Sequence, residues 1–287
     1  MLALTGCTPF AASTAATTAP GTTAAAGTPA ARTTASAAVV ASPSSPAAKT
    51  SSAAARAAVA AHTSVAARGP VAPAPVVVLD PGHNGGNASH PAQINALVPD
   101  GAGGTKPCNT TGTATNAGYP EHAFTWDMAL RVRSLLTAAG VRVVLSRPSD
   151  TGVGPCVDVR GRLGARVGAA AFVGIHGDGA PAGGRGFHVI TSSLAPAGPS
   201  VAARSSALAH AVRDAMTAVE PVSNYLGVQG LDARRDLAGL NLSAVPAIYL
   251  ECGNMRNAAD AARMTSAAGR AALARRLAAG ILVFLGR

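Results

Sequence analysis

The chain has 287 residues, 48% of them hydrophobic, and a formal net charge of +10. That is long enough for one well-filled core, and its last apolar run, Ile281 to Leu285, is far too short to cross a bilayer. The positive charge suits cell-wall polymer, nucleic acid or acidic lipid without choosing among them, yet Arg outnumbers Lys 21 to 2 amid abundant Ala, a bias that a GC-rich genome explains with no partner at all.

In chain order, residues 1–7 end in Leu4-Thr5-Gly6-Cys7 and resemble the end of a bacterial lipoprotein signal, in which Cys7 would be lipidated after cleavage. The basic start and apolar stretch that such a signal needs are missing. Either the true start lies upstream, the favoured expectation, or the match is chance. Residues 8–74 are almost wholly Ala, Thr, Ser, Pro and Gly, contain no acidic residue and hold four of the basic ones (Arg32, Lys49, Arg56, Arg68). They cannot bury enough apolar surface to offset chain entropy, so a disordered tether is expected, with a reach of roughly 45 Å. Residues 75–287 are expected to form one domain.

Pro75 to Leu79 reads as a buried strand stopped by Asp80-Pro81-Gly82, and a Gly, Asn and Thr-rich loop follows to Pro120. Glu121 opens a helix whose Phe124, Met128, Val132 and Leu135 share a face, and Gly140 ends it. Strands are expected over Val141 to Leu145, Ala171 to Ile175, Gly186 to Thr191 and Pro246 to Leu250, with helices over Ala203 to Val219 and from Ser266 onward. Such alternation implies an α/β fold with a mostly parallel central sheet flanked by helices. Cys108 and Cys156 lie in Gly- and Pro-rich loops and can pair in an oxidising compartment, whereas Cys252 follows an apolar strand and reads as a buried small hydrophobe.

Three polar residues come directly after apolar strand runs: His83, His176 and Glu251. Parallel strands would place all three at the carboxyl edge of the sheet, where α/β proteins put their ligands. Glu121, first in the helix that follows the first strand, belongs at the same edge. Two imidazoles and one carboxylate make a common catalytic zinc set that leaves a position for water; a second carboxylate, uncoordinated, would take that water's proton and deliver it to a departing amine. Only three glutamates occur in the chain, and two stand here. The remaining histidines, His62, His90, His122, His188 and His210, read as structural or surface residues. Asp80 and Asp178 flank proposed ligands and are candidates for orienting a metal-bound imidazole, although a turn explains Asp80 equally well.

At these residues the sequence resembles the zinc-dependent N-acetylmuramoyl-L-alanine amidases of amidase family 3. The resemblance spans Val76 to Leu285 and rests on L-D-P-G-H-N-G-G-N, P-E-H-A-F-T-W-D, V-V-L-S-R-P-S-D with Arg147 and Asp150, Arg160 beyond it, F-V-G-I-H-G-D, and P-A-I-Y-L-E-C-G-N-M. It implies zinc held by His83, Glu121 and His176, with Glu251 as the catalytic base. It further implies peptidoglycan and its muropeptide fragments as substrates, cleavage at the lactyl amide, an extracytoplasmic location in the cell envelope, secreted or lipid-anchored, and a cleft bordered by G-L-D-A-R-R-D-L-A-G-L-N. A monomer that binds no nucleic acid is expected. Three positions depart from the pattern: Gly164-Ala165 stands where Ala-Asn is usual, and Cys252 replaces a bulky apolar residue. The competing readings are another zinc hydrolase of the cell wall, a deacetylase or stem-peptide peptidase, and a wall-binding protein that has lost catalysis.

Overall fold

A computed structural model describes residues 73–287. Cys7, His62 and nearly all of the expected tether lie outside them. The elements in order are β1 (Val76–Pro81), α1 (Pro91–Ile94), β2 (Leu97–Pro99), β3 (Thr105–Pro107), α2 (Glu121–Ala138), β4 (Arg142–Leu145), α3 (Val157–Gly161), α4 (Leu163–Arg166), β5 (Ala171–Asp178), β6 (His188–Ser192), α5 (Pro199–Met216), β7 (Leu231–Arg234), α6 (Ala238–Asn241), β8 (Ala247–Asn254), α7 (Ala258–Thr265) and α8 (Ala267–Phe284). Six strands form one sheet in the order β4-β1-β5-β8-β6-β7. Its first four run parallel. β6 turns antiparallel to β8, and β7 follows β6 in parallel. The mostly parallel sheet expected from the alternation is therefore present, with one reversal.

Both faces are covered, so the strands read as near-continuous apolar runs. Alternation along them still decides which face each side chain joins. Val77 and Leu79 of β1, Val173 and Ile175 of β5, and Ile248, Leu250 and Cys252 of β8 pack into one core with α2, α5 and α8. Val76, Val78, Phe172, Ile190, Ala247 and Tyr249 form a smaller core on the other face, with Leu240 of α6. Two more residues along each strand, that second face ends in polar side chains: Asp80 after Val78, His176 after Phe172 and Gly174, Glu251 after Ala247 and Tyr249.

α2 seats the second carboxylate. Phe124, Met128, Val132 and Leu136 are each fully buried, contributing about 1.5–3 kcal/mol apiece. Leu136 replaces the expected Leu135, which is 37% exposed, because steps of four hold the stripe against the sheet. Gly140, at φ +76°, ends the helix as expected. α8 buries Leu273, Leu277 and Ile281 and begins at Ser266, whose Oγ accepts from Gly269 N. Outside the loop after β1, five elements are additions to the expectation: α3, α4, β7, α6 and α7. β7 is a half-exposed edge strand, and α7 is capped by Asn257, whose side chain accepts from the Ala259 and Asp260 amides. The long loop after β1 also holds structure, an antiparallel pairing of β2 with β3, and a Cys108–Cys156 disulfide anchors it. Cys252 is buried and free. Among the described residues, no helix is long and apolar enough to cross a membrane.

Candidate metal centre and hydrolytic site

β1, β5 and β8 are adjacent and parallel, so the ends of their second face open at one edge. His176 and Glu251 are direct register partners across β5 and β8, and the ladder slips by one residue immediately beyond them, a bulge of the kind that re-aims side chains beside a site. His83 leaves β1 through a backbone at φ +59°. This left-handed conformation is costly for a residue with a side chain and persists only where neighbours enforce it. The neighbours are polar: Arg160 Nη2 donates to the His83 carbonyl at 3.1 Å, and Arg147 donates to Pro81 O and to Asn84 Oδ1, each at 2.9 Å.

Around Glu121 the three candidate ligands close up. His83 Nε2 lies 3.0 Å from Oε2 and His176 Nδ1 lies 3.0 Å from Oε1, while the backbone amides of Thr113 and Gly177 donate to the two oxygens at 2.9 and 3.1 Å. One donor atom from each of His83, Glu121 and His176 falls within 4.8 Å of the others, compact enough for three zinc bonds of about 2.0–2.2 Å to meet after a small adjustment. The carbonyl of Thr110 is 3.0 Å from His83 Nδ1. A carbonyl only accepts, so Nδ1 carries the proton and Nε2 keeps its lone pair for a metal. The ring of Tyr249 stacks on His176 with centroids 4.9 Å apart. Space is tight: a Cβ on Gly82 would collide with the His176 ring, and one on Gly112, at φ +79°, would come within 2.8 Å of Glu121 Oε2. The donor set and its cradle fit a zinc ion.

The electrostatics agree. Burial alone would raise the Glu121 carboxyl, but the two imidazoles override it and hold it well below the usual carboxylate range. His83 would be lowered by burial, yet the Glu121 carboxylate leaves it raised above 6.5. For Glu251 every large influence points the other way: burial, then the charges of Glu121 and Asp178, push its carboxyl well above its ordinary value. The Glu251 carboxyl makes no hydrogen bond, and its Oε2 is buried without a partner, so Oε1 is the oxygen that stays accessible. All four residues line one open cleft, which Leu237, Ala238 and Gly239 of the expected bordering segment also line.

Neither flanking aspartate hydrogen-bonds the imidazole of His83 or His176. Asp80 is 1% exposed and accepts from Ser146 Oγ and Arg160 Nη1; Asp178 accepts from Gly179 N and from Tyr225 Oη at 2.9 Å. The Thr110 carbonyl takes the role proposed for them. A backbone oxygen carries no residue signature, so it could not be read in advance. His122 turns to Asp150 at 2.7 Å, His90 to the Gly86 carbonyl, and His210 to the Ser206 carbonyl on α5. His188 is fully buried on β6.

Residues 77–283 match the family described as N-acetylmuramoyl-L-alanine amidase, Amidase_3. An N-acetylmuramoyl-L-alanine amidase of Mycobacterium tuberculosis is 49% identical over 215 residues, which are 73% of this chain and 86% of that protein. Two crystal structures of the N-acetylmuramyl-L-alanine amidase Ami1 share the fold. That from Mycobacterium smegmatis is 48% identical with a TM-score of 0.71, covering 75% of this chain and 98% of its own. The apo form from Mycobacterium abscessus is 46% identical at the same TM-score, covering 74% and 99%. The matched span holds every residue of the cleft described above, and the chain belongs to the N-acetylmuramoyl-L-alanine amidase family.

Proposed function

We propose that this chain hydrolyses the amide between the lactyl group of N-acetylmuramic acid and the first L-alanine of the peptidoglycan stem peptide, with zinc held by His83, Glu121 and His176 and with Glu251 as the base. The observation that carries the reading is the meeting of those three donors within 4.8 Å, with Glu251 beside His176 in the sheet register. Zinc bound there would polarise an amide carbonyl and lower the pKa of nearby water, which a poor electrophile requires.

The chain's own groups do the proton work. Oε1 of Glu251, open to the cleft, takes a proton from the attacking water as its oxygen bonds to the lactyl carbonyl carbon. The same carboxyl then gives that proton to the alanine nitrogen as the C–N bond breaks, leaving a free amine and a lactyl carboxylic acid that loses its remaining proton to solvent. A carboxyl raised by burial holds a proton more readily than a free carboxylate, which suits it to take the water's proton and keep it until the amine departs. The backbone amides of Thr113 and Gly177 and the Thr110 carbonyl keep the ligand set in place. A location outside the cytoplasm accords with the Cys108–Cys156 disulfide.

Mass spectrometry of a muramyl-peptide digest tests the assignment. The zinc-loaded protein should release the intact peptide with a free alanine amine, and Glu251→Gln should slow release by about 10²–10⁴-fold with zinc content unchanged. Loss of acetyl groups, or cuts inside the stem peptide, would replace the reading with a deacetylase or a peptidase.

A further inference from the structure

His188 is buried completely on β6, and neither of its ring nitrogens has a hydrogen-bond partner. An imidazole stripped of water with nothing to replace its hydrogen bonds is costly, so such a group calls for an explanation. Its position supplies one. Across the antiparallel β6–β8 pair, His188 and Glu251 are direct register partners, which puts their side chains on one face with Cβ atoms about 4.5–5.5 Å apart. Glu251 has the complementary deficiency: Oε2 faces inward without a donor, while Oε1 opens to the cleft.

We propose that His188 is a positioning residue for Glu251, one of its ring nitrogens holding Oε2 across one bridging water, so that Oε1 is presented to the reacting water. The inference rests on the base role given to Glu251 above. Asp178 already accepts from Gly179 N and from Tyr225 Oη, and the Tyr225 ring stands edge-on to His188, 6.2 Å between centroids, walling it in. After burial, the charges that bear on the imidazole are Asp178, then Asp232 and Arg234 of β7, so Asp178 and Asp232 are the competing acceptors. Burial keeps the ring neutral, with one nitrogen to donate and one to accept.

The test uses the zinc-loaded full chain. His188→Phe preserves the ring and its packing against Tyr225 but removes the N–H. The expected result is a fall in kcat of about 10–100-fold, the range for groups that orient a residue acting at a metal, with KM within about twofold, zinc stoichiometry unchanged and Tm not lowered. His188→Gln, which restores a donor, should recover part of the loss. On a Glu251→Gln background, His188→Phe should cost nothing further, because the two act as one unit. A wild-type kcat in His188→Phe would overturn the proposal, as would a kcat loss accompanied by a matching loss of Tm. Full activity in Glu251→Gln would instead remove the base role itself, so the two failures are distinguishable. Nitrogen-15 NMR of the histidines needs no His188 variant: the His188 signal should move in Glu251→Gln and stay in Asp178→Asn and Asp232→Asn, and a shift in either Asp variant with none in Glu251→Gln would also overturn it.

Discussion

Replacing Arg160 by leucine should destabilise the protein by about 4 kcal/mol and loosen its hold on zinc. The side chain is 3% exposed and donates four hydrogen bonds: to Pro155 O at 2.8 Å, Asp80 Oδ1 at 3.0 Å, Pro81 O at 2.9 Å and His83 O at 3.1 Å. Its removal strands the Asp80 carboxylate with Ser146 as sole donor. Breaking one side of a buried ion pair costs about 3–5 kcal/mol because the other charge is left uncompensated. The three carbonyls overlap with that cost rather than adding to it. In urea unfolding of chelator-treated protein, a loss of about 4 kcal/mol at an m of about 2 kcal/mol/M lowers the midpoint by about 2 M with m unchanged. Zinc affinity should fall as well, since the guanidinium pins the strained His83 backbone. Asp80→Asn with Arg160→Leu should recover part of the stability by removing the orphaned charge. A single-variant loss under about 1 kcal/mol, or a double variant less stable than the single, would refute the reasoning.

Metal removal and pH should interact. Without metal, His83 titrates above 6.5 because the Glu121 carboxylate outweighs its burial. The folded protein thus holds that proton more tightly than the unfolded chain; the stabilisation is complete below pH 6.5 and drains as pH rises through the folded value. The Tm of chelated protein should therefore decline as pH rises from 6.5 through the folded value, and the increment added by zinc should grow over that window, since the ion no longer competes with the proton. A chelated Tm that climbs through the window would contradict this. Reducing the Cys108–Cys156 bridge, which spans 48 positions, should cost about 4 kcal/mol by loop-closure entropy, read as a lower urea midpoint. No change in midpoint would mean that the loop after β1 is held without it.

The central strands were legible because a strand buried on both faces announces itself as an unbroken β-branched run, as in Pro75-Val-Val-Val-Leu79 and Pro246-Ala-Ile-Tyr-Leu250. The edge strand β7 is Leu-Asp-Ala-Arg, half-exposed, and its polar composition hides it among loops. The reversal of β6 was equally hidden, since direction is set by how the chain returns and leaves no mark in a strand's own residues. The site was readable for a related reason: polar side chains stand out where apolar runs stop, and His83, His176 and Glu251 are such stops. Thr110, Thr113 and Gly177 contribute backbone atoms, which any residue carries. His188 looked structural from within its strand, and only the register opposite Glu251 gives its missing partners a meaning.

Anomalous diffraction at the zinc edge from crystals of the zinc-loaded protein tests the central claim most directly. One strong peak within about 2.0–2.2 Å of His83 Nε2, a Glu121 carboxylate oxygen and His176 Nδ1, with Glu251 outside bonding distance, is the predicted result. A peak coordinated by Glu251 in place of any of the three, or zinc bound only elsewhere on the protein, would contradict the account.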